Sequence, residues 1–378
     1  MFVFHIGLRK SGSASIQTFL AANQDALRAL SIDYAKAGRG KRKDHHNIVR
    51  DVTGSFRFKS RQGSLEQLAQ EAANPDMTRV IVSSELFEGF GAAHVAAVKA
   101  SLDEAVSDFR IVLVLRDLLG LIPSSYAQKI RYGLRLFDFD TFFEERMQED
   151  RVDYFETASR WADVFGWDAL KVRPLDPRYL KNGDLIDDFL DALDIDVSDP
   201  RIRALERPGL VNAALGWKTL EALRALHLGR HQLPRDHPLV SGGVAANHRQ
   251  QGEAIEEAAR KVGDDMNWNT DRGMYFTHDQ AELVLETYST AITALNARLP
   301  VALPAPASLD ERGFVEREFL PDVSRIPSDE LNAFYDALAG FMVDGKFGPT
   351  TRETQRADFR AQRKAQHKAE RKRERAGG

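Results

Sequence analysis

Hydrophobic residues fall in two textures along this chain. Over the first 200 residues, short continuous apolar runs alternate with longer stretches whose apolar positions recur every three or four residues. The runs Phe2–Ile6, Arg79–Ser83, Arg110–Leu115 and Leu170–Arg173 are rich in Val, Ile, Leu and Phe. Such runs predict strands buried on both faces. Between them, Ile16, Phe19, Leu20, Ala26, Leu27 and Leu30 share one face of a predicted helix. Val95, Val98, Leu102 and Val106 mark a second helix, and Ile122, Tyr126 and Ile130 a third. The alternation predicts an α/β fold, a mostly parallel sheet flanked by helices on both faces.

After Pro200 the short runs stop. Leu210–Leu228, Ala245–Val262 and Gln280–Leu299 read as helices with no strands between them. They predict a helical subdomain, residues 201–300, packed on an α/β core of residues 1–200. Residues 301–378 read as a linker (PVALPAPAS, Pro300–Ser308), a helix over Ser328–Val343 and a basic tail. The tail, Arg352–Gly378, carries ten Lys/Arg against four Asp/Glu. The net charge of −4 therefore averages an acidic body with a basic end and says little about partners.

A hydrophobic fraction of 43% with 29% charged residues is that of a soluble globular protein. The chain has no cysteine, which excludes disulfides, thiolate metal sites and thiol nucleophiles and fits a reducing compartment. The strongest apolar run, Ile111–Leu115, falls far short of the roughly 20 residues that span a bilayer. Met1–Ile6 lacks the flanks of a signal peptide. The expectation is a cytoplasmic protein with no membrane span.

Two turns carry candidate chemistry. The first strand ends at Ile6 and leads through Gly7 to Lys10-Ser11-Gly12-Ser13-Ala14-Ser15, then a helix. A helix start offers unpaired N–H groups and the positive end of a dipole to an anion. Gly12 permits close backbone approach, the serine hydroxyls can donate to phosphate oxygens, and Lys10 adds a point charge. A plain Gly/Ser turn, with Ser13 or Ser15 as N-cap, is the simpler alternative. In a Walker A loop the lysine follows the second glycine. Here it precedes Gly12, which weighs against a small-molecule kinase. The second turn follows Arg116 at the end of a buried-type strand, with Pro123 and Ser124 downstream. Pro123 suits the first turn of a helix, which would put Ser124 near free N–H groups and make Arg116 and Ser124 a second anion site. A salt-bridged strand-end arginine is the simpler alternative there.

The sequence HIGLRKSGSASIQ resembles the 3′-phosphoadenosine 5′-phosphosulfate (PAPS)-dependent sulfotransferase family, whose loop after the first strand has the form K-[ST]-G-[ST]-[ST]. In that family an arginine ending a later strand and a serine eight positions on bind the 3′-phosphate. Arg116 and Ser124 have that spacing and order. The segment Val172–Asp196 is a weaker point of similarity, and the resemblance covers roughly residues 1–196. It implies a P-loop-like sulfotransferase fold with PAPS as sulfate donor. Lys10 to Ser15 would hold the 5′-phosphosulfate, and Arg116 with Ser124 the 3′-phosphate. Ala14 departs from the pattern, as does Ser15 where some members stack an aromatic residue on adenine.

The implied reaction moves a sulfuryl group to a hydroxyl or amine of a carbohydrate, lipid or other metabolite, with Lys10 stabilising the leaving oxygen and no metal required. For the base, Glu85 at the end of the strand Arg79–Ser83 is the first candidate, and His45 or His46 in GKRKDHHN the rival. A metal site at the two histidines lacks a third ligand by spacing. A helix-start carboxylate and a surface loop are the simpler alternatives for these groups. No recognised nucleic-acid motif accompanies the basic loop Arg39–Lys43. A non-catalytic interaction protein of the same fold remains the other alternative to an enzyme.

Overall fold

A computed structural model describes residues 1–131, 133, 136–148, 152–207, 214–229, 248–314 and 320–343. The predicted basic tail lies outside them, as does the start of the helix predicted from Leu210. The chain divides into two compact units. The first comprises Met1–Ser125, Phe139–Ala213 and Phe276–Glu316, and the second Tyr126–Asp138, Ala214–Tyr275 and Arg317–Gly378.

The first unit is built on five strands: β1 (Phe2–His5), β2 (Ile32–Tyr34), β3 (Arg79–Ser83), β4 (Phe109–Leu115) and β5 (Leu170–Pro174). Their order is β2-β3-β1-β4-β5, and every neighbouring pair is parallel. The four predicted strands are present within a residue of their expected bounds. β2 was not foreseen, because three residues give too short a run to stand out. The α/β fold with a parallel sheet flanked by helices is as the sequence predicts.

Side-chain alternation along β1 explains both faces. Phe2 and Phe4 point to an aromatic layer with Phe87, Phe109, Trp161 and Phe165. Val3 points to the opposite layer, where Ile16, Phe19, Leu20, Phe189 and Leu190 are buried. The helix predicted over Ile16–Leu30 is two: α1 (Ser13–Ala22) and α2 (Gln24–Arg28). Asn23 interrupts it. Its side chain turns back to Phe19 O and also exchanges hydrogen bonds with the backbone of Glu206, a competition typical of Asn.

The helix carrying Ser124 spans Leu118–Arg131, with Pro123 inside it. Asp117 Oδ1 accepts from Leu119 N at 2.9 Å and so fills the capping place. The expectation that Pro123 marks the first turn is therefore corrected. Ser124 lies in the second turn and is not beside the free N–H groups.

In the second unit the helices span Trp217–Gly229, His248–Asp265 and Ser328–Val343. Buried Glu221 accepts from Tyr126 and Tyr275 and pairs with Arg224 at 2.6 Å. Burial raises the Glu221 carboxyl, and Arg224 counters it. Among the described residues no helix is long and apolar enough to cross a membrane, and no three His, Asp or Glu side chains gather as a metal site.

Candidate functional site

A parallel sheet delivers the ends of its strands to one edge. β3, β1 and β4 are neighbours, so Glu85, the Gly7–Gly12 loop and Arg116 emerge side by side. In the loop, Lys10 has φ 67° and Gly12 φ 83°. A left-handed residue other than glycine costs roughly 1–2 kcal/mol, and such strain is characteristic of functional turns. A side chain on Gly12 would strike Leu185 Cδ2 at 2.2 Å.

Gly12 precedes α1 without a side-chain cap. Among the described residues the N–H groups of Gly12, Ser13 and Ala14 have no hydrogen-bond partner. Three adjacent unpaired amides at a helix start are suited to an anion. The hydroxyls behave differently from expectation. Ser11 is fully buried and its Oγ donates to Leu8 O at 2.5 Å, while Ser13 Oγ makes a long 3.5 Å bond to the same carbonyl. Ala14 is exposed.

The two turns meet at Arg116. Its Nη1 donates to Lys10 O at 3.0 Å and lies 3.5 Å from Ser124 Oγ. Tyr154 anchors the same residue from behind, donating to Arg116 O at 2.5 Å. Burial pulls the guanidinium below its usual value, and Tyr154 and Asp117 counter that. A guanidinium loses its proton only far above neutral pH, so Arg116 is a partly desolvated cation between the two turns.

The rival bases of the sequence reading turn out to be one pair. His46 Nε2 is 3.5 Å from Glu85 Oε1, and His46 Nδ1 is 2.8 Å from Ser84 Oγ and 3.4 Å from Asp44. Gln17 of α1 donates to Glu85 Oε2 at 3.2 Å. Burial alone would raise the Glu85 carboxyl. The hydrogen bond and charge of His46, together with Gln17, reverse that and hold it at about 2. His45 is a different case. It is fully buried, accepts from Ser83 N at 3.1 Å and reaches Ala35 O at 2.9 Å. Burial pulls its ring to about 4. It is a neutral strut tying the end of β2 to β3.

Sequence reasoning missed Gln17, Ser84 and His5. His5 had a visible signal, since it is a polar residue in an otherwise apolar strand. Gln17 had none, because it is one of several polar residues on an amphipathic helix.

No model of a known protein family matches the chain. An uncharacterized protein of Archaeoglobus fulgidus is 26% identical over 177 residues, which is 47% of this chain and 46% of that protein. The chain thus matches about half of that relative's length. A sulfotransferase from Alicyclobacillus acidocaldarius is similar in structure with a TM-score of 0.36 and 14% identity, over 80% of this chain and 96% of that one. At those values it identifies neither ligand nor reaction.

Proposed function

We propose that this chain is a sulfotransferase that uses PAPS and transfers its sulfuryl group to a hydroxyl or amine. The observation that carries the reading is Arg116, which bridges the Lys10 backbone and Ser124 Oγ. A ligand with phosphates at both ends of one adenosine suits two anion-binding turns joined in this way.

The residues at the two turns fit that donor. The unpaired amides of Gly12, Ser13 and Ala14 face the 5′-phosphate, and Arg116 with Ser124 holds the 3′-phosphate. As the acceptor oxygen or nitrogen bonds to sulfur, the bond from sulfur to the phosphate oxygen breaks. Lys10 stabilises the negative charge left on that oxygen. Glu85, at 29% side-chain exposure against 13% for His46, meets the acceptor proton. His46 keeps the carboxylate ionised and ready to accept. A carboxylate held near 2 is a weak base. It suffices where positioning and charge stabilisation dominate, as in phosphoryl transfer.

The acceptor side has a charge of its own. Residues 36–63, which include His46, hold nine Lys/Arg against two Asp/Glu in a chain of net charge −4. Lys36, Lys41, Arg57, Lys59 and Arg61 are exposed. An acceptor bearing carboxylate or sulfate groups would be steered to such a face.

The discriminating experiment is a thermal shift with 3′-phosphoadenosine 5′-phosphate against ATP–Mg²⁺. The sulfotransferase reading expects a rise in melting temperature with the bisphosphate alone. A rise with ATP–Mg²⁺ alone would favour a kinase, and no rise with either would favour a non-catalytic relative.

A further inference from the structure

The ring of His5 lies beneath the loop with no exposed surface. Its Nδ1 is 2.7 Å from Ser83 Oγ, whereas its Nε2 is buried without a hydrogen-bond partner. Such an atom is rare in a native fold and calls for an explanation.

The neighbours bear on what this atom carries. Glu85 is ionised and can only accept, so the Gln17 atom facing it is the amide nitrogen. The same nitrogen donates to Ser83 Oγ at 3.2 Å. Ser83 keeps one proton to give, and both His5 Nδ1 and the Tyr34 oxygen stand where they can accept it. Burial, partly opposed by Glu85, pulls the ring to about 4, so it is neutral at pH 7. A neutral imidazole that accepts at Nδ1 carries its proton on Nε2. With the Ser83 proton turned to His5, the orphan is a buried N–H.

That N–H borders the loop at a particular place. A methyl group on Gly7 would lie 2.8 Å from His5 Nε2 and 2.4 Å from Ser13 Oγ. Both atoms therefore face the small space that glycine leaves open. Ser13 Oγ is held only by its long bond to Leu8 O, a carbonyl that Ser11 Oγ already approaches more closely. A donor lacking an acceptor stands beside a loosely held hydroxyl.

We propose that His5 is a positioning residue for Ser13. On nucleotide binding, Ser13 turns from Leu8, accepts from His5 Nε2–H and donates its own proton to an oxygen of the 5′-phosphosulfate. This rests on the nucleotide reading above. The same ring joins the loop to the acceptor side through Ser83, Gln17, Glu85 and His46.

The test is a double-mutant cycle on His5→Asn and Ser13→Ala, read by calorimetric binding of 3′-phosphoadenosine 5′-phosphate. Asparagine keeps a polar group near Nδ1 and removes the one at Nε2. Each single variant is expected to bind about tenfold more weakly, the worth of one hydrogen bond. The double variant should bind no more weakly than Ser13→Ala. His5→Gln, whose amide can reach the Nε2 position, should restore part of the affinity only when Ser13 is present. Additive losses would overturn the assignment. An imidazole ¹⁵N spectrum of the wild type gives a second reading that needs no His5 variant. An Nε2–H tautomer whose proton shifts on nucleotide binding, and does not shift in Ser13→Ala, is expected. An Nδ1–H tautomer would overturn the assignment. If the wild type binds no nucleotide, the nucleotide reading itself fails, whereas binding with an additive cycle removes only the role of His5.

Discussion

The proposed donor end of the site and the proposed acceptor end sit on adjacent strands and are made by different means. Around β1 and β4 the candidate binding groups are backbone amides and a strand-end cation, set by local chain geometry: Lys10 and Gly12 in the left-handed region, an uncapped helix start, and Arg116 reaching across to Lys10 O. Around β3 the groups are side chains from three separate segments, Gln17, His46 and Glu85, whose chemistry is set by burial and by each other. The difference teaches where each end is vulnerable. The proposed donor end depends on two charges, Lys10 and Arg116, and on the conformation of a short loop, and the proposed acceptor end on a mutual electrostatic adjustment.

The sharpest way to break the comparison is Lys10→Ala. If the proposed donor end works through the charge of Lys10, transfer of labelled sulfate from PAPS should fall by about 10²–10³-fold, the usual cost of removing one charge-stabilising donor. The fold should persist by circular dichroism. Transfer at the wild-type rate would end the assigned role.

A smaller effect is expected at the acceptor end. Glu85 is held at about 2 by His46 against the upward push of burial. The wild type should therefore show no loss of rate from Glu85 protonation anywhere the fold survives. In His46→Asn the largest downward influence is gone, Gln17 and the backbone alone oppose burial, and the carboxyl protonates at higher pH. The variant should lose activity on acidification while the wild type does not, seen as a new acid limb in the pH–rate profile. Superimposable profiles would separate Glu85 from His46.

The smallest effect is expected from Lys41→Glu combined with Arg57→Glu. Exposed charges act mainly on encounter and are screened by salt. KM for an acidic acceptor such as a uronic acid oligosaccharide should rise several-fold at low salt, with kcat and nucleotide affinity unchanged. Equal KM values would remove the steering role.

The placement of the two turns at one sheet edge was largely legible in the sequence because their parts are contiguous or lie at a strand end. HIGLRKSGSAS placed the loop, and the order Arg116 then Ser124 placed the second turn. Two details were not legible. Pro123 suggested a helix start that Asp117 in fact provides, and the hydroxyls of Ser11 and Ser13 turn inward to Leu8 O. The acceptor end was legible only as a choice between rivals. Nothing local indicates that residues 39 positions apart form one pair, because that follows from β2 pairing with β3 and from His45 bonding to Ser83. Likewise β2 has three residues and Asn23 breaks a helix whose apolar spacing continues past it, so periodicity alone missed both.

The account stands or falls on whether the two turns hold one ligand. The most direct measurement is the affinity of wild type and Arg116→Ala for 3′-phosphoadenosine 5′-phosphate and for adenosine monophosphate. The account predicts that Arg116→Ala weakens the bisphosphate by roughly 10–100-fold, as loss of a charged hydrogen bond should. The monophosphate, which lacks the 3′ group, should lose severalfold less, only what the loop loses with the Arg116–Lys10 O bond. Equal losses for both nucleotides would contradict a 3′-phosphate site at Arg116 and Ser124, and with it the claim that the two turns serve a single donor.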